Sequence, residues 1–131
     1  MPDLSPAPAA PDGQDDVAAR ALDRLAIELE TCAAELERAH SRALCLLAER
    51  RAGRTWLEIV SAEERPLVVE SISTVLGSLA RAGHEWRREQ ASALRAEQVS
   101  INRIAAMFGV TRQRISALLR ERGGPEADAA D

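Results

Sequence analysis

The sequence predicts an all-α protein, and three observations support that prediction. Alanine and leucine are the commonest apolar residues, aromatic residues make up only 2% of the chain, and tyrosine is absent. The alternation of apolar and polar residues that indicates half-buried strands is almost missing. Residues 17–51 contain neither proline nor glycine, which allows one long helix. We therefore expect a long N-terminal helix followed by several short helices.

The first segment, residues 1–14, holds four of the six prolines and is expected to be a disordered tail. It has neither the basic start nor the apolar run of a signal peptide. No apolar run in the chain approaches the roughly 20 residues that cross a bilayer. Cys32 and Cys45 lack the spacing of a metal site or a redox pair, and the role of Cys45 stays open. We expect a cytoplasmic protein that does not contact a membrane.

The long helix is predicted to begin at Asp15 or Asp16, because acidic residues favour the positive end of a helix dipole. Its apolar residues recur at intervals of three and four, as in a coiled coil, through Leu22, Leu25, Leu29, Cys32, Leu36, Ala39, Ala43 and Leu46. A second copy can cover this stripe in a parallel or antiparallel homodimer, with a seam of Leu22, Leu25, Leu29, Cys32 and Leu36. The alternative is that later helices of the same chain cover the stripe.

The segment after the long helix completes a helical dimerisation and packing region over residues 15–83. Thr55 is expected to cap a short helix in which Trp56 is a core anchor. Pro66 is compatible with the first turn of a further helix, and Gly83 is expected to end that helix. Nothing in this region indicates chemistry beyond helix packing.

Two short helices joined by a tight turn are predicted between residues 100 and 122. Ser100 and Thr111 each precede a helical pattern, where a hydroxyl can accept an amide hydrogen of the first turn. Gly109 lies between the helices, where a left-handed conformation costs glycine almost nothing and other residues about 1–2 kcal/mol. We also expect close packing at this glycine. The apolar positions of the two helices are expected to mate, with Ile104 and Ala105 facing Ile115, Leu118 and Leu119.

The turn has the residue order of a DNA-reading helix-turn-helix, namely small, glycine, branched and apolar, in Ala105, Gly109, Ile115 and Leu118. The stretch resembles the helix-turn-helix of bacterial DNA-binding regulators and of the DNA-binding domains of resolvases. With a helix predicted over residues 84–97, it also resembles the tri-helical, homeodomain-like units of small regulators of GC-rich bacteria. The resemblance implies a C-terminal three-helix domain over residues 84–122, a nucleoid-associated location and a role in transcription regulation.

The helix over residues 111–122 is expected to enter the major groove of double-stranded DNA. At about 100° per residue, Ile115 and Leu118 define its buried side, and outward residues near its amino end can reach base edges. The candidates for base reading are Arg112, Gln113, Ser116 and Ala117. The candidates for phosphate contacts, which orient a protein without reading sequence, are Ser100, Arg103, Thr111, Arg114, Arg120 and Arg122.

The formal net charge of −4 is unevenly distributed. Residues 84–122 hold eight arginines against four acidic residues, which gives +4, whereas residues 1–83 hold nine against fourteen, which gives −5. Residues 123–131, an expected acidic disordered tail, carry three acidic residues. Phosphates experience the local charge, because salt screens charges beyond about 10 Å. The positive segment is modest, which predicts that two copies act together on DNA.

No set of residues indicates catalysis, a metal or a cofactor. His40 and His84 are isolated, no glycine-rich phosphate loop is present, and no cluster has the spacing of a zinc site. We therefore expect that the protein is not an enzyme. The leading hypothesis is a homodimeric, sequence-specific DNA-binding protein in transcription control. The alternatives are a protein-interaction adaptor of the transcription machinery and a nonspecific nucleoid-associated DNA-binding protein.

Overall fold

A computed structural model describes residues 16–123, and these residues form five α-helices and no strand. The helices are α1 (Val17–Arg51), α2 (Trp56–Ala62), α3 (Val68–Ala96), α4 (Ile101–Phe108) and α5 (Arg112–Gly123). The all-α prediction is confirmed. The tails expected over residues 1–14 and 123–131 lie outside the described residues, apart from Gly123 at the end of α5.

The described chain divides into two compact units. The central unit comprises residues 25–82, and the terminal unit comprises residues 16–24 together with residues 83–123. Helices α1 and α3 each contribute residues to both units, whereas α2 belongs to the central unit and α4 and α5 belong to the terminal unit. None of the helices in the described part of the chain is long and apolar enough to span a membrane.

In the central unit, α1 and α3 pack side by side in opposite directions. Cys32 of α1 is buried, with its Sγ 4.0 Å from the carbonyl oxygen of Val75 in α3. Further along α1, the Arg42 guanidinium donates to the carbonyl oxygen of Glu64, just before α3, at 3.2 Å. The later residue of α1 thus contacts the earlier residue of the α3 segment, which shows that the two helices are antiparallel. Cys32 is a small core residue of this contact.

Helix α2 begins with the predicted cap at Thr55, which is a full capping box. The Thr55 hydroxyl accepts from the Glu58 amide at 3.1 Å, and the Glu58 carboxylate accepts from the Thr55 amide at 2.9 Å. The prediction that Trp56 anchors the core is wrong. Trp56 is exposed, with the Arg50 guanidinium 5.0 Å from its ring centroid, and Ile59 is the buried residue of α2. The Trp56 ring therefore contacts the Arg50 guanidinium and does not pack in the core.

Helix α3 corrects the prediction that Gly83 ends one helix and that a new helix begins at residue 84. It runs unbroken from Val68 to Ala96 through Gly83. A helical glycine keeps its amide donor and costs only about 1 kcal/mol relative to alanine. That cost is small beside the helical preference of the residues on either side. At the start of α3, the Glu70 carboxylate accepts from the Leu67 amide at 2.8 Å.

Three helices end in the same hydrogen-bonded turn, the Schellman motif. After α4, the Val110 amide donates to Ala105 at 3.0 Å and the Gly109 amide donates to Ala106 at 3.3 Å. The left-handed residue of this turn is Gly109, with φ of +68°, as predicted. The expected close packing at Gly109 is wrong, because a Cβ built there meets no atom within 4 Å. The turns after α1 and α3 place Gly53 and Gln98 in the equivalent position, with φ of +103° and +70°.

The core of the terminal unit confirms the predicted mating of the two short helices. Its buried members are Ala91, Ile104, Ala105, Ile115 and Leu118. Leu94, Val99, Ile101, Phe108 and Leu119 pack against them while remaining partly exposed. In the same unit, the Arg24 guanidinium donates to the Glu85 carboxylate at 2.7 Å, which joins the first turns of α1 to α3.

Candidate nucleic-acid interface

Helix α5 has one side buried and one side exposed. Ile115 and Leu118 are buried against α4, and their burial fixes how α5 is rotated about its own axis. Because successive residues are about 100° apart, the residues on the remaining two thirds of the circumference face away from the core. The structure therefore presents the polar side of α5 on the surface of the terminal unit.

The predicted base-reading residues lie on this outward side. Arg112 and Gln113 are exposed, whereas Ser116 and Ala117 are half-buried. Arg112, Gln113 and Ser116 border one shallow depression, together with Arg120. Three of the four candidates thus lie around one concavity, and a phosphate candidate shares it.

The predicted phosphate-contact residues are distributed over α4 and α5. Ser100 and Thr111 are exposed, and each caps a helix: the Ser100 hydroxyl accepts from the Arg103 amide, and the Thr111 hydroxyl accepts from the Arg114 amide, both at 3.1 Å. Both predicted caps are confirmed. The side chains of Arg103, Arg114 and Arg120 are exposed, and the side chain of Arg122 lies outside those described.

The exposed arginines of this surface are largely uncompensated. Among the side chains that the structure describes, no acidic residue forms a salt bridge with Arg103, Arg112 or Arg120. Arg114 differs, because its charge helps to lower the pKa of Glu121. Arginines that are not neutralised by the protein can neutralise phosphates instead.

Glu121 of α5 is joined to α3 by a pair that the sequence analysis did not identify. The His84 Nε2 atom lies 2.7 Å from the Glu121 carboxylate oxygen. This hydrogen bond is the main reason that the pKa of Glu121 is lowered, with the charges of His84, Arg88 and Arg114 acting in the same direction and partial desolvation opposing them. Thirty-seven residues separate the two partners, so no local pattern could have indicated the contact.

Two further charged residues of α3 lie close to the same core. The Arg87 guanidinium is 4.3 Å from the centroid of the Phe108 ring at the end of α4, a favourable cation–π distance. Glu89 is buried, with its carboxylate 3.7 Å from the Nε atom of Arg88. Sequence analysis missed the contact of Arg87 with Phe108 and the burial of Glu89, since both depend on how α3 packs in the folded chain.

The predicted dimer-seam residues do not share one environment. Cys32 is buried by α3, and burial, followed by the nearby Glu28 and Glu35 carboxylates, raises the pKa of its thiol. Leu25 is half-buried. The exposed members are Leu22, Leu29 and Leu36.

The described residues contain no group of three or more histidine, cysteine, aspartate or glutamate side chains that could hold a metal ion. Comparison with known proteins found no matching family model, no matching curated protein and no matching solved structure. The geometry and charge of the α5 surface are therefore the features of the molecule that bear on its function.

Proposed function

We propose that this protein is a homodimeric, sequence-specific DNA-binding protein that regulates transcription, and that α5 reads the major groove of double-stranded DNA. In this proposal the part of α3 from residue 83 onwards forms the helix-turn-helix domain together with α4 and α5. The helix-turn-helix regulators of GC-rich bacteria that the sequence resembles are its analogues in this proposal, and its place of action is the nucleoid.

The observation that carries the proposal is the outward side of α5. Arg112, Gln113 and Arg120 are exposed around one depression, while Ile115 and Leu118 on the opposite side are buried. A recognition helix needs this division, because its inner side must hold it on the domain while its outer side enters the groove.

The outward side chains suit the donor and acceptor pattern of the major groove. Arg112 can donate two hydrogen bonds to O6 and N7 of guanine, and Gln113 can pair with N6 and N7 of adenine. The methyl group of Ala117 can contact a thymine methyl group. Arg103, Arg114 and Arg120 are suited to phosphates on either side of the groove. Ser100 and Thr111 place their first-turn amides where a phosphate can approach.

Two copies are needed for useful affinity. The segment over residues 84–122 has a formal charge of only +4, which limits the number of counterions that one copy can release. Two linked copies bind with an affinity that exceeds that of either one, because the second binding event becomes intramolecular. A homodimer would therefore read two half-sites about one helical turn apart.

The direct test is selection from a random-sequence duplex library with the full-length protein, followed by titration of the selected duplex against a scrambled duplex. We expect enrichment of a two-half-site sequence and at least about 10³-fold preference over the scrambled duplex. The double variant Arg112→Ala, Gln113→Ala should lose that preference while its circular dichroism spectrum stays helical.

Arg81→Ala is the matched control, because Arg81 is exposed on the central unit and its removal also deletes one positive charge. This variant should keep the full preference. Salt-sensitive binding without enrichment would favour a nonspecific nucleoid-associated protein over the proposed regulator. Absence of salt-sensitive DNA binding would contradict the proposal and favour a protein-interaction adaptor.

A further inference from the structure

The pair of helices α1 and α3 has two contrasting sides in the central unit. Beside the contact of Cys32 with Val75, one side is a groove lined by polar side chains, namely Glu28, Thr31 and Glu35 of α1 and Ser71, Thr74 and Ser78 of α3. Helical geometry places the leucine-rich positions on the other side. We call this side the apolar α1–α3 face, and it consists of Leu25, Leu29, Leu36, Ile72, Leu76 and Leu79.

Much of the apolar α1–α3 face is exposed. The exposed fractions are 51% for Leu29, 43% for Leu36, 38% for Ile72 and 62% for Leu76. Large apolar side chains that cluster on one side of two helices indicate an interaction surface more strongly than the same residues scattered singly. No other described helix of the central unit covers these four residues.

On α1, exposed residues on this face and next to it form a heptad repeat along the helix. They are Ala26, Leu29, Ala33, Leu36, His40, Ala43 and Leu47, at intervals of three and four residues, and all are exposed. A heptad repeat of this length requires a partner helix that runs alongside for about 30 Å. The α1 helix of a second copy has the same period and, with 35 residues, sufficient length.

The sizes of these residues select the direction of the partner. Leu29 and Leu36 alternate with Ala26 and Ala33 along the repeat. In an antiparallel pair, each layer combines the two kinds of position, so a leucine of one copy packs beside an alanine of the other. Alternation of large and small residues across an interface lets the layers interdigitate at constant helix separation.

We infer that a second copy of this chain packs on the apolar α1–α3 face, with its α1 antiparallel to the first, to form a four-helix bundle. In this arrangement Leu29 of one copy lies beside Ala33 of the other, so the two-fold axis passes near residue 31. Because Cys32 contacts Val75, Leu76 of α3 lies at the level of that axis. Each Leu76 therefore faces its own counterpart.

The charge and size of the face fit self-association. None of the six residues that define the face is charged, and Glu30 and Glu37, which follow Leu29 and Leu36, lie at the outer edge of the α1 heptad repeat. The centres of two identical faces therefore meet without like-charge repulsion. A face about 25–30 Å long and two helices wide covers roughly 500–600 Å². Two such faces bury about 1,000–1,200 Å² in total, which is the lower limit for a specific interface.

This inference assigns the surface of the homodimer in the proposed function, on which it partly rests, but it is tested without DNA. Analytical ultracentrifugation of the full chain over about 1–100 μM should give twice the 14.2 kDa chain mass. Leu76→Glu should raise the dissociation constant at least about 100-fold, because it places two carboxylates opposite each other in an apolar interface. Its circular dichroism spectrum should be unchanged, since Leu76 is exposed in the single chain.

Ile27→Glu is the matched control. Ile27 is 57% exposed and lies on the side of α1 away from the apolar face, so this variant should remain a dimer. A monomeric wild type at 100 μM, or equal dissociation by both substitutions, would overturn the inference. A dimer that binds no DNA would contradict the proposed DNA binding but support this interface. A monomer that still selects a DNA sequence would contradict this interface but support DNA binding.

The orientation of the two copies has its own measurement. Cys45 is exposed and Cys32 is buried, so a thiol-reactive spin label attaches at Cys45 without mutation. In the antiparallel bundle Cys45 lies about 14 residues from the axis in each copy, which separates the labels by about 40 Å or more. A label separation below about 30 Å would show parallel helices and overturn the assigned orientation.

Discussion

Gly109 makes the turn between α4 and α5 possible through its backbone alone. Its φ of +68° lies in the left-handed region, and a Cβ there would meet no atom within 4 Å. A side chain at this position therefore costs only the left-handed strain of an L residue. Gly109→Val should lower the free energy of unfolding by at least about 1 kcal/mol. Urea denaturation followed by circular dichroism measures this change, and an unchanged midpoint would contradict the assignment.

Gln98 provides the reverse comparison, since it adopts the same conformation after α3 with φ of +70° but carries a side chain. Gln98→Gly should relieve the strain and raise the free energy of unfolding by up to about 1 kcal/mol, less the extra flexibility of glycine in the unfolded chain. A loss of stability in this variant would mean that the Gln98 side chain contributes more than its backbone costs.

The pair of Glu121 with His84 makes stability depend on pH. The pKa of Glu121 is lowered, first by its hydrogen bond with His84, so the folded state binds this proton less readily than the unfolded state. The stabilisation is therefore present above the ordinary glutamate pKa of about 4.3 and is lost as the pH falls through the lower, folded value. Between pH 6 and pH 3, the midpoint of urea unfolding should fall more for the wild type than for Glu121→Gln. Equal falls would show that the pair does not stabilise the fold.

The helix caps were predictable from sequence, whereas the length of α3 was not. Ser100, Thr55 and Thr111 each accept from an amide three residues ahead, and such local bonds depend only on neighbouring residues. Whether the helix ends at Gly83 or continues past it depends on distant contacts, because glycine is compatible with both. Here His84 beyond it contacts Glu121 in α5, a contact that accompanies continuation of the helix.

Gly83→Ala tests the continuity of α3. Gly83 is helical and not left-handed, and a Cβ there would meet no atom within 4 Å. Alanine should therefore raise the free energy of unfolding by about 0.5–1 kcal/mol, because it has a higher helix propensity and fewer conformations in the unfolded chain. The measurement is a urea titration. Destabilisation of similar size would indicate a left-handed glycine, and hence a break between two helices.

The stripe on α1 was predictable in its period but not in its rotation. Leu25, Cys32 and Ala39 lie towards α3, whereas Leu29 and Leu36 from the same stripe are exposed. A heptad pattern predicts that a helix packs against other helices, but neighbouring rows of its side chains can pack against different helices. The predicted stripe thus combined an intrachain contact with a free surface, and only tertiary structure separates the two.

Charge is distributed unevenly between the two units of the chain. Residues 84–122 are positive by four charges while the chain as a whole is negative by four. The net positive charge lies on the terminal unit, whose α5 presents Arg112 and Arg120 outward. The central unit presents the apolar α1–α3 face. The proposed self-association and the proposed DNA contact therefore use different units of the chain.

The salt dependence of DNA binding tests this division. For a duplex, the logarithm of the binding constant falls linearly with the logarithm of salt concentration, by about 0.9 for each phosphate neutralised. If Arg120 contacts one phosphate in each copy, Arg120→Ala should reduce the magnitude of the slope by about 1.8 for a bound dimer. Arg81→Ala, an exposed arginine of the central unit, should leave the slope unchanged. Fluorescence anisotropy between 50 and 300 mM salt gives both slopes, and equal slopes for wild type and Arg120→Ala would exclude Arg120 from the DNA contact.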